Sequence, residues 1–288
     1  MRLDAGMRPR ASGTRALAQL PLRSAKHDTS MARLIPALRS ACAAVMLVLC
    51  ASATAACAAE TAPQDLTVTA ADALTTITLF PGRGEGKRPA VILLHGAQGI
   101  ERFAAAYTRY AEALAAKGID ALLVSYYDAA DIGPMRSADK HARESYFFAH
   151  LPKWSARIRD VVSFVARRES FSGKVGLLGF SNGGFLAVAS AASDRRIDAL
   201  VVFYAGIAGE DQAGPTRLPP LLALHGDADH NVPLSSGKAL LDRAKALGNE
   251  ANLVVYPGMG HGFDFDATRP ESADALARTA SFFLERLR

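Results

Sequence analysis

Cysteine is missing from most of this sequence. Its three cysteines, Cys42, Cys50 and Cys57, all fall within the first 58 of 288 residues. Residues 59–288 therefore contain no disulfide, no cysteine-ligated metal and no cysteine nucleophile. Aromatic residues are also few, at 7%. The 50% apolar and 21% charged residues are typical of a globular protein and unlike a disordered or collagenous chain.

An excess of basic charge is missing from the same part of the chain. Residues 1–58 contain eight of the 33 basic and two of the 28 acidic side chains, which accounts for the formal net charge of +5. Residues 59–288 keep 25 basic and 26 acidic side chains, which is close to neutrality. Since this part lacks the basic surface of a nucleic-acid-binding domain, we expect no nucleic-acid partner.

The N-terminal region, 1–58, has the layout of a basic leader and signal peptide. Arg33 and Arg39 are followed by an uncharged apolar stretch, 41–53, and by the small residues Ala-Cys-Ala at 56–58. This pattern is typical of a secretory signal, so we expect cleavage after Ala58 and an exported protein, periplasmic or secreted.

Two alternatives for this region stay open. The sequence from Thr54 to Cys57 resembles a bacterial lipoprotein box, which would attach the chain to a membrane through a lipid on Cys57. The signal could also remain as an uncleaved anchor, although its strongly apolar part is short for a membrane span. Translation starts at either Met1 or Met31, and residues 1–58 are left out of the fold prediction.

Short apolar runs alternate with helical patterns in the remainder. Strands are predicted at 66–80 (two runs), 89–96, 119–127, 174–180, 197–206, 219–226 and 251–258, and helices at 101–117, 151–169, 183–193, 235–248 and about 269–287. Apolar strands that alternate with helices form a mostly parallel sheet with helices on both faces. We predict one α/β domain over residues 59–288.

Residues 128–150 interrupt the alternation. The segment is longer than an ordinary connection and contains Tyr, Phe, His and Arg. Long insertions in such folds often cover a pocket, so this segment is a candidate cap; a plain surface excursion is the alternative.

The strand at 174–180 leads into Gly179-Phe180-Ser181-Asn182-Gly183, a G-x-S-x-G motif, and then into a helix. On such a turn the serine backbone is strained, and the two glycines let neighbouring backbone approach. The helix N-terminus supplies free N–H groups and a favourable dipole for negative charge. The motif in this position predicts Ser181 as a nucleophile.

A serine hydroxyl needs a base, and the expected chain order in this architecture is Ser, acid, His. The candidate base is His261, in the loop after the last strand, and the candidate acid is Asp229, with Asp227 as its alternative. Both loops follow the carboxyl ends of strands, where open α/β sheets place their sites. We predict that His261 takes the Ser181 proton while Asp229 orients and stabilises His261.

Three motifs, LLGFSNGG, HGDADHNVP and GMGHGF, occur in an order and spacing that resemble the dienelactone hydrolase family of the α/β-hydrolase superfamily. The resemblance extends over roughly residues 66–288 and implies the α/β-hydrolase fold. It also implies a catalytic triad of Ser181, Asp229 and His261. It favours Asp229 over Asp227 because the family's acid lies three residues before Val-Pro.

The resemblance further implies an oxyanion hole formed by the backbone N–H groups of Asn182 and Ala97. The chain departs from the founding members in having Ser181 where they have cysteine, and Gly96 where they have glutamate. Both departures argue against dienelactone as substrate. They favour a broader serine esterase that cleaves carboxylic esters or lactones of small molecules through an acyl-enzyme.

The remaining polar residues receive structural interpretations. Four residues that lie close together in the sequence resemble a metal cluster, namely His225, Asp227, Asp229 and His230. The end of a strand at His225 and a turn that contains the two acids explain this group without a metal. We expect no metal and no organic cofactor. His95 is expected to shape the oxyanion loop. Arg136 and Arg143 are candidates for the arginines with which the family that the motifs resemble binds substrate carboxylates. Candidates for either pocket lining or core are Tyr126, Tyr127 and Trp154.

Two other functions remain as alternatives. One is a peptidase-type serine hydrolase, whose motifs are similar but whose relatives carry a large accessory domain. The other is a hydrolase-fold binding protein without catalysis, against which the complete Ser, Asp and His set argues. The sequence does not predict an oligomeric state.

Overall fold

A computed structural model describes residues 62–70, 73–208 and 215–288. The described residues all belong to one unit of the chain, Ala56–Arg288. The expected signal peptide, its cleavage site after Ala58 and the lipidation candidate Cys57 lie outside them. In the described part, no helix combines the length and the apolar character that crossing a bilayer requires.

An eight-stranded sheet with the order β1-β2-β4-β3-β5-β6-β7-β8 forms the centre of the described unit. Its strands are β1 Gln64–Ala70, β2 Ala73–Phe80, β3 Arg88–Leu94, β4 Asp120–Ser125, β5 Phe171–Phe180, β6 Ile197–Phe203, β7 Leu221–Gly226 and β8 Ala251–Tyr256. The pairs β1–β2 and β2–β4 are antiparallel, and the pairs from β4 through β8 are parallel. The predicted mostly parallel α/β fold is confirmed.

Helices cover both faces of this sheet. They are α1 Ala104–Ala115, α2 Ala129–Met135, α3 Lys140–Ala166, α4 Asn182–Ser193, α5 Leu234–Ala246 and α6 Pro270–Arg286, with short 3₁₀ turns at Glu101–Phe103 and Phe263–Phe265. Buried side chains of α3, α4 and α5 pack on one face, and those of α1 and α6 pack on the other. A strand between two such layers must be apolar on both sides.

Strand β3 shows how the sequence satisfies this requirement. Ile92 and Leu94 point into the core that contains α3 and α4, whereas Val91 and Leu93 point into the core that contains α1 and α6. The carboxyl end of β3 pairs with that of β5, with Leu94 opposite Gly179. The loops that follow these two strands therefore lie at the same edge of the sheet.

The candidate cap segment, 128–150, is helical. It forms α2 and the start of α3, which begins at Lys140 rather than at residue 151 as the sequence predicts. Pro152 explains the difference, since proline is favoured in a first helical turn but here lies inside α3. Asp139 caps the true start by accepting hydrogen bonds from two backbone N–H groups. That this segment covers the site stays a prediction.

Buried polar contacts hold this segment on the domain. The carboxylate of Asp131 accepts hydrogen bonds from Trp154 Nε1 at 3.1 Å and from Tyr146 Oη at 2.9 Å. Arg157 donates to the backbone oxygen of Tyr126 at 2.5 Å. Trp154 and Tyr126 are fully buried, so they belong to the core. Tyr127, the third aromatic candidate for pocket lining, is 8% exposed.

Candidate active site

The backbone turns sharply between β5 and α4. Ser181, between the two elements, has φ 53° and ψ −119°. This conformation is strained for a residue with a side chain and is typical of functional sites. The Ser181 carbonyl accepts hydrogen bonds from Gly184 N at 2.7 Å and Phe185 N at 3.1 Å. The first turn of α4 therefore holds the strained residue in place.

The two motif glycines are required by close backbone approach. A Cβ on Gly183 would lie 2.5 Å from the carbonyl oxygen of His95, and closer still to that of Leu94. A Cβ on Gly179 would lie 2.7 Å from the Cα of Gly184. The end of β3 thus lies directly against the turn that carries Ser181.

We expect the substitution Gly183→Ala to lower the free energy of unfolding by about 3 kcal/mol, because the added methyl group overlaps backbone that cannot rotate away. Alanine in an unobstructed helix would instead stabilise by about 1 kcal/mol, so the sign of the change is diagnostic. Chemical denaturation measures it. A matched control is Ala192→Ser, which adds one atom at a half-buried position of the same helix and should change stability by less than about 0.5 kcal/mol.

The structure brings Ser181, His261 and Asp229 together although they lie far apart in the sequence. Ser181 Oγ is 3.0 Å from His261 Nε2, and His261 Nδ1 is 2.7 Å from Asp229 Oδ2. Because a carboxylate only accepts hydrogen bonds, Nδ1 carries the proton and Nε2 is free to accept from the serine hydroxyl. The side chain of His261 is 21% exposed and that of Asp229 is buried.

Backbone donors fix the second carboxylate oxygen of Asp229. Asp229 Oδ1 accepts from Asn231 N at 2.8 Å and from Val232 N at 3.0 Å. Burial raises the pKa of Asp229, but the hydrogen bonds from His261 and these backbone groups outweigh burial, so the pKa lies below its usual value. Asp229 is therefore ionised at neutral pH.

The alternative acid, Asp227, points elsewhere. Its carboxylate accepts a hydrogen bond from Gly258 N at 2.6 Å. His225, the other titratable neighbour, lies with Nε2 3.6 Å from Asp229 Oδ2 and donates to the backbone oxygen of Val232 at 2.9 Å. Burial lowers the pKa of His225. Within the described residues, no group of His, Cys, Asp and Glu side chains is arranged to hold a metal ion.

The loop after β3 lies over the nucleophile. A Cβ on Gly96 would be 3.6 Å from the Cβ of Ser181. Ala97, the predicted oxyanion donor, is the next residue along this loop. The other predicted donor, Asn182, is the first residue of α4, where backbone N–H groups have no partner within the helix. Both predicted donors therefore come from segments that border Ser181.

His95 has the structural environment that its position predicts. Its ring stacks on Tyr126 at 4.1 Å, and its Nδ1 donates to the carbonyl oxygen of Gly96 at 2.8 Å. The Tyr126 hydroxyl donates to the His95 carbonyl at 2.8 Å. Burial lowers the pKa of His95 to about 4, so the ring is neutral and shapes the loop.

The structure places the two arginines considered for substrate carboxylates in the segment 128–150. Arg143 donates to the backbone oxygen of Ser137 at 2.5 Å, and Arg136 is exposed. The sequence does not single out Tyr204, whose ring contacts that of His261, or Asp264, whose carboxylate accepts a hydrogen bond from Tyr204. The signal was available in the charged residue within the apolar run Gly262-Phe263-Asp264-Phe265, directly after the candidate base.

A mostly parallel sheet with a Ser–His–Asp chain at the carboxyl edge of its strands defines an α/β-hydrolase. The family model of the dienelactone hydrolase family matches residues 75–287. The chain belongs to the dienelactone hydrolase family, as its motifs predict.

Individual relatives are more distant. A candidate carboxymethylenebutenolidase from Salmonella typhimurium is 27% identical over 132 residues, which are 43% of this chain and 48% of that protein. The chain thus spans about half the length of the curated relatives it matches.

Solved structures share the fold. A candidate dienelactone hydrolase from Klebsiella pneumoniae has a TM-score of 0.65 at 20% identity, covering 77% of this chain and 98% of that one. An acylaminoacyl peptidase from Pyrococcus horikoshii has a TM-score of 0.63 at 13% identity, covering 78% of this chain and 42% of that one. At these identities the likeness concerns the fold alone.

Proposed function

We propose that this chain is a serine hydrolase that cleaves carboxylic esters or lactones of small molecules. The observation that carries the proposal is the continuous hydrogen-bonded chain from Ser181 through His261 to the buried Asp229. Membership of the dienelactone hydrolase family supports the choice of ester and lactone bonds over other substrates.

The geometry supports a two-step reaction. His261 Nε2 takes the hydroxyl proton as Ser181 Oγ attacks the carbonyl carbon, and Asp229 stabilises the imidazolium that forms. The N–H groups of Asn182 and Ala97 stabilise the oxyanion. The C–O bond to the alcohol then breaks, and His261 gives the alcohol its proton. Water, deprotonated by His261, then attacks the acyl carbon. The bond between this carbon and Ser181 Oγ breaks, and His261 returns the proton to Oγ, so that the acid leaves and the enzyme is restored.

The surroundings of the site favour a neutral substrate over dienelactone. Gly96 provides no carboxylate beside Ser181, and Arg143 is held by a backbone carbonyl of its own segment. The sequence pattern of residues 1–58 supports export of the enzyme, with a lipid on Cys57 or an uncleaved signal as its routes to a membrane.

Activity-based labelling tests this function. We expect the full chain to react covalently with a fluorophosphonate and to hydrolyse p-nitrophenyl acetate and butyrate, while the corresponding p-nitroanilides react far more slowly. Prior treatment with phenylmethanesulfonyl fluoride should block both signals. Equal rates on esters and anilides would favour the peptidase-type alternative. A folded protein that takes no label would contradict the proposal and favour a non-catalytic binding protein.

A further inference from the structure

A second carboxylate lies behind the candidate base. Asp264 is fully buried in the 3₁₀ turn that follows His261, and its Oδ1 accepts a hydrogen bond from Tyr204 Oη at 2.8 Å. The ring of Tyr204 contacts the imidazole of His261, with centroids 4.4 Å apart and an angle of 53° between the planes. Tyr204 therefore connects a buried carboxylate to the imidazole of His261.

Tyr204 and Asp264 each carry a feature that lowers the stability of the fold. Tyr204 has a φ of 38°, which is strained for a residue with a side chain. Burial of a carboxylate costs several kcal/mol unless hydrogen bonds compensate it. An apolar residue at position 264 would pack this region without the cost of burying a carboxylate. The arrangement therefore points to a role beyond packing.

The turn that carries Asp264 is held from two helices. The backbone oxygen of Asp264 accepts one hydrogen bond from Ser272 Oγ of α6 at 2.6 Å and another from Arg109 of α1. Arg109 also donates to Ser272 Oγ at 2.8 Å. These contacts hold the turn from which the Asp264 side chain reaches Tyr204.

Several titratable groups face this pair. Tyr204, in the loop after β6, faces Asp264. Three residues of α1 also face it, namely Tyr107, Arg109 and Tyr110. Burial raises the pKa of Asp264 to about 6, against the lowering effect of the tyrosine hydroxyls and Arg109. Asp264 is thus ionised at neutral pH. The groups from β7 and its loop that face His261 are Asp229 and His225.

We propose that Asp264 is a positioning residue for His261 and acts through Tyr204. The ionised carboxylate holds the Tyr204 hydroxyl, fixes the ring against the imidazole and increases the electron density of the ring. An electron-rich ring face stabilises a neighbouring cation, here the imidazolium that forms during proton transfer. This inference rests on the proposed function, because it takes His261 as the general base.

The substitution Asp264→Asn tests the charge while keeping the shape and an oxygen that accepts from Tyr204. Because the substitution removes a negative charge that favours the imidazolium, the acid limb of kcat/KM should move to lower pH by roughly half a unit. We expect kcat for p-nitrophenyl butyrate to fall roughly tenfold, with KM within about twofold.

The measurement is an NMR titration of the His261 imidazole in the full chain, together with the pH profile of ester hydrolysis. A matched control is Asp274→Asn, which removes the charge from another carboxylate that accepts a tyrosine hydrogen bond, from Tyr256 at 2.8 Å. Asp274 is 44% exposed and lies on α6, and its substitution should leave both readouts unchanged.

Tyr204→Phe provides a second variant, since it keeps the ring but removes its link to Asp264. It should shift the His261 titration in the same direction, and it decides the question by itself if Asp264→Asn does not fold. An unchanged His261 titration in the folded variants would overturn this inference. Failure of the proposed function would appear differently, as a wild-type protein without label or turnover, because the NMR titration does not depend on catalysis.

Discussion

Substitution of Ser181 by alanine should abolish fluorophosphonate labelling and lower kcat for ester hydrolysis by about 10⁴- to 10⁶-fold. The reason is geometric. Ser181 Oγ is the hydroxyl that His261 Nε2 meets at 3.0 Å, and its loss removes the atom that would form the acyl-enzyme. Alanine keeps the Cβ, so the backbone strain at φ 53° and the packing of the turn stay the same. The melting temperature should therefore change little.

The control for this variant is another serine of the same helix. Ser193, the last residue of α4, donates to the backbone oxygen of Ser190 at 3.1 Å, and Ser193→Ala should retain full activity. Labelling rates with a fluorophosphonate and steady-state kinetics with p-nitrophenyl butyrate measure both variants. Retention of more than a few per cent of the activity in Ser181→Ala would show that another group performs the attack.

A double substitution strengthens this test. If Ser181 and His261 act as one unit, the variant that lacks both should be no slower than the variant that lacks Ser181 alone. Additive losses would instead mean that His261 acts in a separate step. The same comparison applied to ester binding should show small changes in KM, because neither residue is expected to contribute much to ground-state affinity.

Local sequence patterns predict the parts of this structure that depend on local physics. Continuous apolar runs such as Val91 to Leu94 indicate strands buried on both faces, and the structure has β3 there. The G-x-S-x-G motif combines a strand end, two close-approach glycines and a helix start within a few residues. The edge of the sheet at which the site lies follows from the same pattern, because parallel strands share their carboxyl end.

Other features depend on tertiary contacts and could not be predicted in this way. The first turns of α3 contain exposed polar residues and precede a proline, so their helical state depends on Asp139 as a cap and on the buried contacts of Tyr146 and Trp154. The Tyr204–Asp264 hydrogen bond joins residues 60 positions apart. Tyr204 falls inside the predicted strand 197–206, and its contact with His261 arises only in the folded chain.

The two candidate acids should differ sharply in what their substitution does to catalysis. Asp229→Asn should lower kcat by about 10⁴-fold while leaving the fold intact, as expected when the histidine of a triad loses its carboxylate. The orientation of the new amide is set by the structure. Because Asn231 N and Val232 N donate to the Oδ1 position, the amide oxygen should stay there and the NH₂ group should face His261 Nδ1.

That orientation determines the effect. An NH₂ group can only donate, so Nδ1 of His261 must become the acceptor and the proton moves to Nε2. In this tautomer Nε2 cannot accept the proton of Ser181. Asp227→Asn is the matched control, since its oxygen can still accept from Gly258 N and it lies outside the triad, so activity should stay within about twofold of the wild type.

Steady-state kinetics of the two variants with p-nitrophenyl butyrate, with circular dichroism to check folding, compare the acids directly. A large loss in Asp227→Asn and a small one in Asp229→Asn would reverse the assignment. If Asp229→Asn is inactive but its activity returns as the pH is raised, hydroxide is replacing the base that the wrong tautomer cannot provide. Such a recovery, absent in Ser181→Ala, would show that Asp229 acts by holding the tautomer of His261, since the nucleophile itself would still be present.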